Sequence, residues 1–493
     1  MPTTGQRVSL FGALTVAAAL RLVFLSLPAT SIETKAVAAI PDAAEYLTLA
    51  QNLVRHQTFS RSEQEPYRPE VLRTPGYPLF LALFFVVFPK PLLPILAAQL
   101  ILSLLLVLVT YRFCLELTGD NRTSLVAAYL VALSPNLAFV STKVVTETLF
   151  TLMLAVTLIL FNRHRTVSRV QGIVASGVCC GLLALVRPIA LYFPLLLAAV
   201  LFFDRSVRQY RHACSCSEQT GRPADVGLPR LLSPLLLLAG TALVVLPLFV
   251  RNARLTGRWV LSTTAEHNLV LYNAATVLAL DQNVSLAEAR ELMKLEAEAP
   301  SFAPLDTLNM ARYWQRLTPV AWRHILRKPW LALRVQLLGF VSTLASPISL
   351  RPLAVHSGTD PGQEPNVAQR ALTALARGQL VEAARLVWQS RLARLGWFGV
   401  TTFTAALIFQ LGVLILVLLL LVRHLFLHTR FSFPLAHDTM LLLFLTILYF
   451  ALPTGALGEA RMRAPIEPVL AVLAAAATRT LDSIVKGTGK SRV

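Results

Sequence analysis

The sequence predicts an all-α polytopic membrane protein, and three observations predict it. Of its 493 residues 55% are hydrophobic and only 14% charged, with mean hydropathy +0.62, whereas soluble domains run near a quarter charged. Apolar runs of about 17–25 residues, each long enough to cross a bilayer, recur along the chain. The basic residues collect in the short segments between alternate runs, as cytoplasmic loops do.

Taken in order, the runs predict spans at about 8–28, 92–112, 123–140, 145–162, 170–186, 188–204, 231–250, 398–422, 438–454 and 466–482. The first follows Arg7, lacks a small-residue cleavage site and reads as a retained anchor. Arg112 and Arg122, then Arg163, Arg165 and Arg169, then Arg205, Arg208 and Arg211, then Arg423 and Arg430, and finally Lys486, Lys490 and Arg492 share one side if the N-terminus is cytoplasmic. Two further apolar stretches, Pro78 to Phe88 and Trp330 to Leu344, are too short to span and read as interfacial helices or as one additional pair of spans.

This topology divides the chain into an N-terminal membrane module (1–250), whose first external loop is 29–91, a large extracytoplasmic segment (251–397) and C-terminal spans (398–493). In the middle segment Ala287 to Ala299 and Asn309 to Leu326 are good helix formers, while Pro361, Gly362 and Pro365 mark a loop. No internal repeat stands out.

A formal net charge of +19 raises the possibility of nucleic-acid binding, but the basic residues are spread over several loops between spans and no RNP, zinc-finger or helix-turn-helix pattern holds them. Positive-inside loops and anionic headgroups account for the charge, and no nucleic-acid partner is expected. The five cysteines avoid the segments placed outside, so no disulfide framework follows. His212, Cys214 and Cys216 lack a second ligand pair at zinc spacing. Neither a metal nor a cofactor is expected.

The polar residues placed outside converge. Asp42, Glu45 and Arg73 lie in the first loop, Lys143 and Glu147 at the outer end of the fourth span, and Arg187 between the fifth and sixth. Arg251-Asn252 ends the seventh, and Glu459, Arg461 and Arg463 precede the last. Charges at a membrane boundary are costly unless paired or used. Cations around two or three carboxylates suit an anionic lipid headgroup and a proton acceptor. Each position also has a plainer reading. Asp42 with Glu45 makes a capping box for a helix whose apolar face is Tyr46, Leu49 and Leu53. Lys143 and Glu147 have the spacing of a helical ion pair. Arg187-Pro188 can break a hairpin, and Arg461-Met462-Arg463 can anchor headgroups.

In chain order the motifs are Asp42-x-x-Glu45-Tyr46, Arg73-Thr74-Pro75-Gly76-Tyr77-Pro78, Ser134-Pro135, Thr146-Glu147-Thr148-Leu149-Phe150, Gly181-Leu182 to Arg187-Pro188, Pro247 to Arg251-Asn252, and Glu459-x-Arg461-Met462-Arg463-x-Pro465. This order resembles the GT-C integral-membrane glycosyltransferases, the class of lipid A aminoarabinose transferase and the protein O-mannosyltransferases, over about residues 8–480. The resemblance implies a GT-C fold with about ten to thirteen spans and external juxtamembrane helices. It implies an inverting transferase at a bacterial cell membrane, acting on the extracytoplasmic face. The implied donor is a polyprenyl-phosphate-linked sugar, the acceptor a lipid, glycan or protein, and membrane lipids surround both. Asp42 matches the first-loop catalytic aspartate, and Glu147 is similar to the acidic residue of the fourth span's outer end. Arg461 and Arg463 match the late arginines that face the lipid phosphate, and Arg73 stands where relatives carry a charge before Pro-Pro or Pro-Gly. The candidate catalytic residues are therefore Asp42 and Glu147. The candidate substrate-binding residues are Glu45, Tyr46, Arg73, Lys143, Arg187, Glu459, Arg461 and Arg463. The chain departs from the pattern in lacking a separate soluble C-terminal domain. A transporter or flippase is the competing reading, although such proteins show paired repeats and midplane charges. A non-catalytic scaffold is the third.

Overall fold

The computed structural model describes residues 4–26, 41–167, 170–203, 231–299, 307–347, 367–388, 396–426 and 435–489. The described chain is helical throughout, with no strand among the described residues. The ten expected spans all fall on helices. They are α1 (Thr4–Ser26), α4 (Leu92–Thr118), the bent pair α5 (Asn121–Leu133) and α6 (Pro135–Ser141), α7 (Glu147–Val167), α8 (Val170–Val186) and α9 (Pro188–Phe203). After these come α10 (Leu232–Thr256), α18 (Gly396–Phe426), α19 (His437–Ala451) and α21 (Glu467–Gly489).

Among the described residues five helical stretches are long and apolar enough to cross a membrane by length and composition alone, and the 55° α5–α6 pair makes a sixth if it is one span. Of the remaining four, three fall short for visible reasons. α8 and α9 are too short, and α7 ends in His164 and Arg165. The bend between α5 and α6 has a local cause: Ser134 caps α6 by accepting from the Leu137 amide at 3.1 Å, and Pro135 has no N–H to continue α5.

The bundle is held by close backbone approach, as expected where lipid removes most of the hydrophobic drive between helices. α8 lies against α10 through glycines: a Cβ on Gly177 would sit 2.1 Å from the Leu237 carbonyl oxygen, and one on Gly240 2.6 Å from that of Val174. Thr241 seals the contact by donating to the Gly177 carbonyl at 3.0 Å. α21 runs through the centre, with the run Val469 to Ala477 buried against α5 and α18.

The two short apolar stretches form α3 (Gly76–Val87) and α15 (Pro329–Ala345). Each shows an outward apolar face, Leu79, Leu83 and Val86 on α3 and Leu333, Leu337 and Val341 on α15. The other side of α15 locks onto the 3₁₀ segment Leu452–Leu457. A Cβ on Gly339 would fall 1.7 Å from the Gly455 carbonyl oxygen, so only glycine fits.

Between α10 and α18 lie α11 (Thr264–Asn268), the π-helical turn Leu269–Ala274, α12 (Ala275–Asp281), α13 (Leu286–Glu296) and α14 (Thr307–Arg327), followed by α16 (Val367–Ala376) and α17 (Leu380–Val387). α13 and α14 fall where helix formers were expected. They enclose a small core of their own around Met293, Trp314 and Leu317. The His212, Cys214 and Cys216 group and the loop at Pro361, Gly362 and Pro365 lie outside the described residues.

The bundle has two chemically different ends. At one end Arg163 pairs with Glu116, Arg165 donates to Thr439 at 2.7 Å, and Arg479 donates to the Thr118 carbonyl at 3.2 Å. The N-termini of α2 (Pro41–Arg55), α7 and α21 meet at the other end, which carries the candidate site.

Candidate active site

The site begins with helix N-termini. Asp42 lies in the first turn of α2 and Glu147 opens α7, where the helix dipoles favour negative charge. The chain between α2 and α3 brings Arg73 to them. Asn52 ties this segment down by donating to the carbonyls of Ser60 and Ser62, both at 2.8 Å. Its far end is pinned by the buried Glu70, which accepts from the amides of Leu72 and Arg73. Arg251 donates to the Glu70 carbonyl at 2.9 Å, and Asn252 fastens the turn after α10 through the carbonyls of Val260 and Leu261. Arg251 and Asn252 therefore buttress the site from outside the charge cluster.

The result is an alternating ladder of charge. Glu70 pairs with Arg61, and Arg61 Nη1 reaches Glu45 Oε1 at 3.1 Å. Glu45 Oε2 takes Arg73 Nε at 2.7 Å, while Arg73 Nη2 takes Asp42 Oδ1 at 2.7 Å. The second oxygen of Asp42 meets Arg461 Nη2 at 2.9 Å, and Arg461 Nε bonds Glu147. Arg187 Nη1 closes the series 2.9 Å from Glu147 Oε1. Exposure peaks in the middle of the ladder: the Glu70 and Glu147 side chains are fully buried and that of Arg461 is 4% exposed, while those of Asp42 and Glu45 are 27% and 32% exposed. The accessible part is thus the carboxylates of α2.

Burial opposes the charge on Arg73, yet Asp42, Tyr46 and Glu45 together hold its pKa well above the ordinary value. Burial likewise opposes the charge on Arg461, and Glu147, Asp42 and Glu459 overrule it. Arg73 and Arg461 are therefore held in their charged form by the carboxylates around them.

Of the expected residues, Asp42, Glu45, Arg73, Glu147, Arg187 and Arg461 meet in this ladder. Tyr46 lies beneath it, with the Arg73 guanidinium 5.4 Å from its ring centroid. Glu459 is buried immediately before α20 (Ala460–Arg463) and acts electrostatically on Arg461. Two expectations are corrected. Lys143 and Glu147 do not share a helix face, because α7 begins at Glu147 and Lys143 sits in the preceding turn, its Nζ 5.1 Å from the Phe139 ring centroid. Arg463 is not in the cluster: its Nε donates to Glu467 at 3.1 Å and its terminal nitrogens donate to the carbonyls of Thr343, Leu344, Ser346 and Pro347 at the end of α15. The capping box is also not the arrangement seen, since α2 starts at Pro41 and Glu45 turns to Arg61 and Arg73.

Sequence reasoning missed Arg61 and Glu70, whose partners are set only by the fold of the loop. It also missed His267 of α11. This imidazole lies between Trp314 and Tyr272, with ring centroids 5.2 Å and 6.0 Å away. Burial first, and Arg73 second, push its pKa down to about 4.

Residues 72–215 match the family model described as dolichyl-phosphate-mannose-protein mannosyltransferase. That span holds Arg73, Lys143, Glu147 and Arg187, while Asp42 and Arg461 lie outside it. No curated protein matches the chain. Among solved structures, the archaeal oligosaccharyltransferase AglB from Archaeoglobus fulgidus, in complex with an inhibitory peptide and a dolichol-phosphate, is similar at a TM-score of 0.49 and 15% identity. The similarity covers 99% of this chain and 52% of that one, so the chain spans about half its length. Arabinosyltransferase EmbB from Mycobacterium smegmatis is similar at a TM-score of 0.32 and 14% identity, over 83% of this chain and 40% of that one. The family model belongs to the GT-C glycosyltransferases, the class that the chain resembles in its motifs.

Proposed function

We propose that the chain is an inverting glycosyltransferase that moves a sugar from a polyprenyl-phosphate donor to an acceptor hydroxyl on the extracytoplasmic side of a bacterial cell membrane. The observation that carries this reading is Arg461, which holds Asp42 and Glu147 together at the end of the bundle opposite the basic loops. A donor phosphate offers the arginines the same kind of oxygen that Asp42 now offers them, and arginine binds both in its planar fork. When phosphate takes Arg461 and Arg73, Asp42 is released from these two arginines and becomes a competent base.

The acceptor oxygen then attacks the anomeric carbon, and Asp42 takes the hydroxyl proton. The bond from the anomeric carbon to the phosphate oxygen breaks, and the polyprenyl phosphate leaves with the electron pair and the added negative charge. Arg461 and Arg73 stabilise that charge, which is greater in the transition state than in the bound donor. Glu147, pinned between Arg461 and Arg187, fixes the guanidinium that does this. Attack from the face opposite the phosphate inverts the anomeric centre.

The test is purified protein in liposomes supplied with a panel of polyprenyl-phosphate sugars and the acceptor fraction of the envelope, read by mass spectrometry. Release of free polyprenyl phosphate together with a new glycoside is expected. Movement of intact donor between leaflets, without its consumption, would establish the transporter reading instead.

A further inference from the structure

Tyr77 lies at the start of α3, and the backbone brings it under the charge ladder for a definite reason. α3 starts against the end of α8 at Gly76, where a Cβ would sit 2.6 Å from the Leu185 carbonyl carbon and oxygen. This contact is two residues from Arg187 in the chain. The neighbouring Tyr77 is thereby driven inward until it is fully buried. Its ring makes an edge contact with Tyr46, centroids 5.1 Å apart, and stacks with Phe80 at 6.0 Å.

Those contacts explain the ring but not the hydroxyl. Among the described residues the Tyr77 hydroxyl has no hydrogen-bond partner. Buried hydroxyls are almost always bonded, because an apolar side chain packs as well without the cost of desolvation. Phenylalanine would satisfy every ring contact. The Tyr46 ring that Tyr77 touches has the Arg73 guanidinium 5.4 Å from its centroid, and Glu147, Tyr46 and Arg461 all act electrostatically on the hydroxyl. It therefore borders the place where the two arginines would receive an anion, and it is a donor without an acceptor.

We propose that Tyr77 is a further binding residue of this site, donating its hydroxyl hydrogen to an oxygen of the phosphoryl group that Arg461 and Arg73 receive. The inference rests on the proposed function and adds a neutral donor to an otherwise wholly ionic site. A neutral donor can follow the phosphate through the reaction without any change of charge. It also discriminates by direction, since one O–H must meet one oxygen.

Tyr77→Phe tests this, because it removes a single oxygen and keeps both ring contacts. The readout is binding of undecaprenyl phosphate to detergent-purified protein, followed by thermal shift across a lipid titration, with inorganic phosphate in a parallel titration. Wild-type protein is expected to bind the lipid phosphate, Arg461→Ala to lose it, and Tyr77→Phe to bind about tenfold more weakly, a difference of about 1.4 kcal/mol. Ligand-free Tyr77→Phe should melt no lower than wild type, since no bond within the protein is broken. A shift by inorganic phosphate equal to that by the lipid would mark the site as a free-phosphate site, with Tyr77 still required. Equal binding by Tyr77→Phe and wild type, with Arg461→Ala defective, would overturn the role of Tyr77 and leave the proposed function standing. Failure of the wild type to bind undecaprenyl phosphate would overturn the proposed function and this inference with it.

Discussion

Arg461 and Arg463 belong to one four-residue helix, and the protein uses them in opposite ways. Arg461 turns toward α2 and α7 and joins two carboxylates from distant parts of the chain. Arg463 turns toward α15 and α21, where it gathers four backbone carbonyls and Glu467, itself held by Asn136 at 2.8 Å and by Ser134. One arginine is bound by groups that a ligand can replace. The other is bound by groups that exist to be satisfied, since carbonyls at a helix end have no intrahelical partners. Burial does not separate them, as both are nearly inaccessible. The partners do.

The largest effect expected from this contrast is on the Arg461 side, at Asp42. Asp42→Asn keeps the shape and the helix-start preference of the residue and removes the base. Transfer should fall by roughly 10²–10⁴-fold, with unaltered melting in detergent. Arg461 itself comes next. Arg461→Lys keeps a charge but not the fork that joins Asp42 to Glu147, so turnover should drop, and Arg461→Ala should lose about 10²–10³-fold, the worth of one preorganised donor. Equal activity of the Lys and Ala forms would make Arg461 an anchor like its neighbour.

Arg463→Ala should invert the pattern. It strands Glu467 and the carbonyls of α15 in a buried place, and breaking a buried pair in this way costs about 3–5 kcal/mol. A large loss of melting temperature and yield is expected, with near-normal turnover for each molecule that remains folded. Loss of turnover at unchanged stability would move Arg463 into the site, where the family resemblance puts it.

That reversal shows what could be read from the sequence. The helices were legible, and five or six of them as bilayer-length spans, because a long apolar run has few other uses, and the meeting of Asp42, Arg73, Glu147 and Arg461 followed from parity and charge. Whether an arginine two positions on faces the same way depends on the short turn Ala460–Arg463 and on where α15 ends. Neither leaves a periodic signal. The same holds for Arg61 and Glu70, which the irregular chain between α2 and α3 carries to Glu45 and Arg73. The plainer reading of Lys143 and Glu147 as a helical pair fails for a related reason: four-residue spacing pairs side chains only inside a helix, and α7 starts at the second of them.

The smallest effect concerns acid, and it too distinguishes the two regions. His267 adjoins the Arg461 side only, where Arg73, Glu45, Asp42 and the Asn268 amide act on it. Its pKa is lowered from 6.5 to about 4 in the fold, so between those values the unfolded chain binds a proton that the folded chain refuses. Stability therefore rises with pH across that window and falls as pH drops from about 6.5 toward 4. Full use of the shift would amount to about 3 kcal/mol, at 1.36 kcal/mol for each unit, and the partial exposure of the ring reduces this to about 1–2 kcal/mol. His267→Gln keeps a polar side chain that cannot titrate here. Melting curves at pH 7.5 and 5.0 should show wild type losing more stability than the variant, and the same difference should persist in an Arg463→Lys background if the two regions are independent. An identical acid loss in wild type and His267→Gln would assign the sensitivity to the carboxylates of the ladder and remove His267 from the neighbourhood that matters.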